Sequence, residues 1–426
     1  MVQPPRASFM TSDLSVPAAT RRMFDRRMSF VFAGNFVTLG IFFPFFPVWL
    51  GHKGLDGDEI GLILALQIGL RVLVCPPVLR QADRSRDRAH LLIAAAFASL
   101  VASLPFFQVE GWSSILLATL VLAAVWCPAI PLTDAIALSG VRRLGSDYGR
   151  SRLWGSISFI AANIAGGVLI GWLGVGRFPL VLCLAFLTAA LVTLAAPRLG
   201  QPLKASPLPL APPQEPWTPS PSLIQRLRRL GPAPDMKRLL PTLIGIALIQ
   251  ASHALLNGFA SLQWAKLGYG AVEIGVFWAI GVVAEVMLFR LAAQPLRRFG
   301  IKAVLLASAL VAAARWTLFT HDLGLVGFAL LQTAHAMTFA AAHVCLQMLI
   351  GSSVAENRFG AAQGLSFALQ TTLMAAATFG GGVLYQQGGA EAFYAMAAMA
   401  LAAFVIIALS PQPQSAGEGG KTREPS

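Results

Sequence analysis

Two apolar stretches of the same design lie half a chain apart and carry opposite charges at the same depth. The run from Glu273 to Lys302, EIGVFWAIGVVAEVMLFRLAAQPLRRFGIK, has a single carboxylate, Glu285, at its middle and a basic turn at its end. Displaced back by 214 residues, Glu59, Ile60 and Gly61 fall on Glu273, Ile274 and Gly275, Arg71 on Glu285, Arg84 on Arg298 and Arg88 on Lys302. Each central charge follows its glutamate-marked entry by twelve residues. At ~1.5 Å per residue that is about 18 Å, past the midplane of a bilayer core ~30 Å thick. A half-chain repeat with ionisable groups deep inside apolar spans restricts the chain to a two-lobed polytopic membrane fold.

Apolar runs long enough to cross a bilayer number twelve, near 28–50, 60–79, 90–108, 114–139, 152–173, 178–197, 239–264, 273–291, 302–320, 323–350, 361–386 and 391–410. They predict an all-α membrane protein of two pseudo-symmetric six-helix halves, 28–197 and 239–410, between tails at 1–27 and 411–426. The break at 198–238 begins Pro-rich (PLPLAPPQEP, TPSP) and ends in a basic amphipathic piece from Ser222 to Leu230. It reads as an extended linker followed by a helix lying on the membrane surface. Small residues at Gly167 and Gly171 and the run Gly380-Gly381-Gly382 predict close helix approach.

Hydrophobic residues make up 56% of the chain and charged ones 12%, which excludes a soluble protein of this size. The net charge of +13 would suggest nucleic acid in a soluble chain. Here 27 of the 32 Lys and Arg residues fall in the tails and alternate loops that share one side, and only Lys53, Arg177 and Lys266 fall on the other. The charge is therefore topological: it faces anionic lipid and places both termini in the cytoplasm. The N-terminal segment lacks a short apolar core with a small-residue cleavage site and reads as a cytoplasmic tail. The four cysteines, Cys75, Cys127, Cys183 and Cys345, all lie in apolar spans and form no CxxC pair, so neither a disulfide framework nor a zinc site is indicated. No Walker loop, HExxH or Ser/His/Asp arrangement is found, which argues against an enzyme or an ATP-driven pump.

Among nineteen acidic residues only Asp134 and Glu285 lie well inside an apolar span. An unpaired charge there costs at least ~2.5–3.5 kcal/mol, so each faces a partner or a water-filled cavity. Candidate partners are Arg71 in span 2, Arg152 at the head of span 5 and Arg315 in span 9, with His253, His335 and His343 nearby in type. Glu285 reads either as a proton-coupling site, because an enclosed carboxylate exchanges its proton as its counter-ion comes and goes, or as one half of a permanent ion pair. Asp134 follows Pro128 and Pro131 and serves coupling or pairs with Arg152. Arg71 and Arg315 suit an anionic substrate, which a guanidinium holds by two parallel bonds, or act as counter-ions to Glu285. His253 shares an unusually polar span with Gln250 and Asn257, a candidate substrate face, although a lone helical histidine is more often a packing residue.

Two six-helix halves, a long middle loop and basic turns after spans 2 and 8 resemble the major facilitator superfamily. Its signature after span 2 is kept at Asp83, Arg84 and Arg88, while Leu79 and Arg86 stand where it has glycines and Asp87 where it has a basic residue. The second copy keeps Arg298, Gly300 and Lys302, with Arg297 in place of the acid. The resemblance implies that these turns latch the halves on the cytoplasmic side. Within the superfamily, PLTDAIAL (131–138), DYGRSRLWGS (147–156), QASHALLNGFASLQW (250–264), GVVAE (281–285) and ARW (314–316), with His335 and His343, resemble the bacterial 3-phenylpropionate permease branch. That branch implies proton symport of a small organic acid across the inner membrane. The more distant lactose-permease type places functional charges on helices 4, 5, 8, 9 and 10, as Asp134, Arg152, Glu285, Arg315 and His335 are here. This chain departs from it in having no carboxylate in span 10.

The sequence thus predicts an alternating-access carrier driven by the proton gradient, with no bound cofactor and no metal, working as a monomer. Its partners are a small organic anion, protons and membrane lipid, not nucleic acid. Glu285, Asp134 and His335 are the candidate coupling residues; Arg71, Arg152, Arg315, His253 and Asn257 are the candidate substrate contacts. The competing readings are an exporter of the same fold and a transporter-like sensor. Proton-antiporting exporters of the superfamily carry a Gly-Pro pair in span 5, and 152–173 contains no proline.

Overall fold

A computed structural model describes residues 17–201, 234–291, 299–354 and 358–411. The amphipathic piece from Ser222 to Leu230 and Arg298 lie outside the described residues. Every regular element among the described residues is helical. Among the described residues ten helices are long and apolar enough to cross a membrane: α1 (Ala18–His52), α2 (Gly57–Arg84), α3 (Arg88–Phe107), α4 (Trp112–Leu144), α5 (Tyr148–Leu173), α6 (Val175–Thr193), α7 (Arg238–Lys266), α8 (Ala271–Arg290), α9 (Ile301–Phe319) and α10 (Gly324–Ser353). An eleventh apolar stretch runs 49 residues, Ala361–Leu409. At ~1.5 Å per residue it is more than twice the ~30 Å core and must turn. It does so at Gly389, whose φ of 57° places it in the left-handed region that favours glycine, dividing the stretch into α11 (Phe359–Gly388) and α12 (Phe393–Leu409). The described chain therefore makes twelve crossings.

Helix starts explain part of the repeat. Asp56 accepts from the Glu59 backbone N–H while the Glu59 carboxylate accepts from the Asp56 N–H, a capping box that begins α2. The glutamate that marks the entry of the span is thus a capping residue. Asp87 and Asp147 cap α3 and α5 in the same way, by accepting from Ala89 and Arg150 N–H.

The packing repeats as the sequence does. In the first half α1 packs on α5 and α6, and α3 on α6; in the second, α7 packs on α11 and α12, and α9 on α12. Each contact is its counterpart shifted by six helices. α1 and α7 lie at the centre of their halves, with 72% and 78% of their most apolar windows buried against 28% for α2 and for α8. The halves join along two seams related by the same symmetry, α2 on α11 and α5 on α8. Glycines make both seams close: Gly61 meets Gly382, Gly275 meets the Asn163 backbone, and Gly167 meets Ala271. The Gly57 N–H donates to Gln386 Oε1 at 2.8 Å at one end of the first seam. These approaches all lie toward the bundle end remote from the termini.

Three crossings are interrupted where they pass the centre. α4 breaks at Cys127 and Pro128, since proline removes a backbone donor and clashes with the preceding turn. α7 loses helical pairing at Ser252 and His253. α10 widens to a π-helix over Ala336–Ala341. Such bulges gather at functional positions because they reorient side chains and free backbone groups.

Candidate functional site

Each seam glycine is followed ten residues later by one of the repeat's central charges, Gly61 by Arg71 and Gly275 by Glu285. At ~1.5 Å per residue both charges lie about 15 Å below their seams, toward the terminal end of the bundle. A two-lobed chamber opens there between the halves. The first lobe, about 280 Å³, is lined by Arg71 and Gln67 of α2, Gln250 of α7, and Gln370 and Thr371 of α11. The second, about 300 Å³, is lined by Arg152 of α5, Glu285 and Trp278 of α8, and Gln332 and His335 of α10. Phe43, Asn257 and Phe339 line both and form the wall between them. The volumes and mixture of aromatic walls with a few polar groups suit a small organic ligand.

Arg71 and Glu285 therefore stand in different lobes. Glu285 Oε2 lies 3.6 Å from His335 Nε2, with the Arg152 guanidinium and the His343 imidazole also near it, while the titratable groups beside Arg71 are Cys75 and Cys127. The second lobe brings together residues from both halves: Arg152 from the first, Glu285 and His335 from the second. Arg152 lies over the Phe36 ring at 4.0 Å, which holds the guanidinium in place without neutralising it.

Behind His335 a hydrogen-bond network sets the tautomers of two histidines, although the Arg315 Nε–H within it is buried without a partner. Arg315 is 1% exposed and donates to Gln332 Oε1 at 2.6 Å and Thr338 Oγ1 at 3.0 Å, with Nη1 3.3 Å from His335 Nδ1. A guanidinium only donates, so His335 Nδ1 accepts and its proton sits on Nε2, facing Glu285. His253 Nδ1 lies 3.0 Å from the Ile249 carbonyl and must donate to it; its Nε2 then accepts from Thr338, whose hydroxyl accepts from Arg315. His335 stacks on Phe339 with ring centroids 5.0 Å apart. The π-helix aims His335 and Phe339 at the chamber and Thr338 at the buried network. His253, fully buried with both ring nitrogens occupied, and Arg315 belong to this supporting network and do not line the chamber. Asn257, from the same span as His253, lines both lobes.

Asp134, beyond the break in α4, accepts from the Tyr148 hydroxyl at 3.0 Å, and the Arg152 guanidinium bears on both. It thus connects to the second lobe through Arg152 without lining it. The loop residues bind within their own halves. Arg88 pairs with Asp83 at 2.6 Å and donates to Ser139 Oγ at 2.8 Å, and Asp87 accepts from the Gly200 N–H at 2.8 Å. Arg84 is exposed at the end of α2. Gly300, with φ of 78°, precedes α9, and Lys302 donates to the carbonyls of Ala408 and Ser410 at 2.9 and 2.8 Å, satisfying the end of α12.

A chamber between pseudo-symmetric six-helix halves, sealed by helix seams on one side, defines a membrane carrier. The chain belongs to the MFS_1 like family, whose model matches residues 26–396, and is a multi-pass transporter of the major facilitator kind. It is 30% identical to the probable 3-phenylpropionic acid transporter of Escherichia coli (strain K12) over 87% of this chain and 94% of that one. It is 27% identical to the maltose permease of Geobacillus stearothermophilus over 67% of this chain and 68% of that one. The crystal structure of the nucleoside transporter NupG superposes with a TM-score of 0.70 at 17% identity, covering 90% of this chain and 98% of that one.

Proposed function

We propose that this protein is a proton-coupled symporter of a small organic carboxylate, aromatic in its body, lying in the inner membrane with both termini in the cytoplasm. The observation that carries the reading is the second lobe, where an arginine of one half faces a carboxylate of the other beneath aromatic walls. An organic anion pairs with Arg152 or Arg71 through charge-assisted bonds, and its ring lies among Phe43, Trp278 and Phe339. When the anion neutralises the arginine, Glu285 loses its cationic neighbour and is carried across protonated; release of the anion restores that neighbour and frees the proton. Charge would thus cross with the substrate only as a neutral pair, which lowers the cost of passing the low-dielectric midplane. The similarity to a probable 3-phenylpropionic acid transporter supports the same substrate class.

The test is uptake of labelled aromatic and aliphatic carboxylates into proteoliposomes, with and without an inward acid gradient, for the wild type and Glu285→Gln. Gradient-driven accumulation that the substitution abolishes, with counterflow exchange spared, supports the reading; accumulation that survives the substitution removes Glu285 from coupling.

A second reading has its own observation. The first lobe is lined by the amides Gln67, Gln250, Asn257 and Gln370, groups that suit the hydroxyls of a neutral sugar-like solute. Including maltose and a nucleoside in the panel separates the two, since a neutral solute would compete at an amide-lined lobe without requiring either arginine.

A further inference from the structure

A groove of about 860 Å³ lies apart from the central chamber, at the terminal end of α1 and α5, lined by Arg21, Arg22 and Arg26 of α1, Arg150 of α5, the aromatic side chains Phe30 and Trp154, and Ile157. Asp25 also lines it, leaving an excess of three positive charges. None of the four arginines forms an ion pair among the described residues. The transport chamber uses none of them.

The depth of the groove follows from tryptophans. Trp154 and Trp172 are 49% and 82% exposed on α5 and stand eighteen residues apart. Eighteen residues are five turns, so both point to one side, about 27 Å apart along the axis. That spacing matches the ~30 Å hydrocarbon layer, and tryptophans favour its two boundaries. Trp154 therefore marks the boundary at the terminal end, and Arg150, about one turn nearer that end, lies at headgroup level. Ser151 Oγ donates to the Asp25 carbonyl at 3.4 Å, which sets this part of α1 beside it. Phe30 and Ile157, 55% and 44% exposed, lie on the hydrocarbon side of the arginines. The groove thus reads from guanidinium groups at headgroup depth to aromatic and aliphatic surface at acyl-chain depth.

We propose that this groove is a binding site for an anionic phospholipid, its phosphate held by Arg22, Arg26 and Arg150 and its acyl chains lying on Phe30, Trp154 and Ile157. The end of the bundle concerned carries most of the basic residues and faces the leaflet whose anionic lipids attract such clusters. A guanidinium fork matches phosphate oxygens bidentately, and a flat aromatic flank suits chains. A lipid seated between α1 and α5 would bear on the helix that forms the α5–α8 seam.

The experiment is native mass spectrometry of the purified protein with equal amounts of phosphatidylglycerol and phosphatidylcholine of matched chains. Three net charges give an expected preference for the anionic lipid between about tenfold and about a hundredfold, falling as salt is added. The preference should be lost in Arg22→Gln/Arg26→Gln/Arg150→Gln. Equal retention of both lipids by the wild type, or an undiminished preference in the triple variant, overturns the proposal. A second measurement needs no folded triple variant: phosphatidylglycerol with brominated chains should quench wild-type fluorescence more than brominated phosphatidylcholine, with the excess absent in Trp154→Phe. No excess quenching overturns the proposal, as does its removal by a soluble carboxylate such as benzoate, which would assign the groove to a soluble anion.

Discussion

The Nε2 proton of His335 faces the Glu285 carboxylate across 3.6 Å, and it does so because Arg315, 3.3 Å from Nδ1, leaves the imidazole no other tautomer. The two functions of the ring separate by substitution. His335→Asn keeps an acceptor near the Nδ1 position and loses the reach to Glu285; it should change stability by less than ~1 kcal/mol and impair gradient-driven accumulation. His335→Leu removes the acceptor and leaves a buried guanidinium donor unmet, a loss of about 1–3 kcal/mol. Thermal unfolding in detergent, beside accumulation ratios, checks both. Equal stability of the two variants would show that Arg315 does not depend on the ring.

Arg71 and Arg152 stand in different lobes, so their neutralisation should separate as well. Loss of one charge-assisted bond of ~1.5–3 kcal/mol raises the KM for a carboxylate by about ten- to a hundredfold. The arginine that holds the substrate should show this in its glutamine variant, and a neutral amide analogue of the substrate should lose the difference. Uptake kinetics for Arg71→Gln and Arg152→Gln with acid and amide identify which lobe binds the anion. If neither variant moves KM, the carboxylate reading fails.

Much of this architecture was legible in spacing. Twelve crossings, the half-chain repeat and the exceptional position of Glu285 follow from hydropathy and the rarity of buried carboxylates, which are strong constraints in lipid. The grouping of Arg152, Glu285 and His335 was legible only as a set of helices carrying charges; which faces meet depends on helix rotation, and adjacent positions on one helix point apart. Hence Arg71 and Glu285, equal in depth, occupy separate lobes, and His253 and Arg315, polar residues in candidate spans, turn inward to one another's network. The π-helix over Ala336–Ala341 has no signature in apolar periodicity, so Phe339 and Thr338 went unmarked. Trp278 and Phe43 were hidden among many aromatic residues, and the role of Glu59 as a capping residue was masked by its place in the repeat.

Lys302 ties the start of α9 to the end of α12 through two carbonyls. Removing it in Lys302→Met should cost about 1 kcal/mol and fray that end, seen as faster proteolysis near Ser410 with transport retained. Asp83→Asn, which breaks the pair to Arg88 where the carboxylate is exposed, should change stability by no more than ~1 kcal/mol. A large loss of transport without a loss of stability in either variant would show that these turns act between the halves during the cycle, as the superfamily resemblance implies.

The seams offer the sharpest test of alternating access. A Cβ on Gly382 would lie 2.6 Å from the Gly57 carbonyl oxygen and 2.8 Å from Gly61 Cα, and one on Gly275 would meet the Asn163 carbonyl oxygen. These neighbours are backbone and cannot rotate away, so Gly382→Ala and Gly275→Ala must push the halves apart at the end remote from the termini. Overpacking of this kind costs about 1–3 kcal/mol in the state that holds the seam closed. Where a second state with that end open relieves the clash, the population moves toward it by about five- to a hundredfold. Labelling of a cysteine placed in the chamber by a membrane-impermeant reagent added from that side should rise accordingly. Gly380→Ala is the control, since a Cβ there meets nothing within 4 Å. If Gly382→Ala unfolds the protein without raising labelling, or if Gly380→Ala raises it equally, the seam is a structural joint and the gate lies elsewhere.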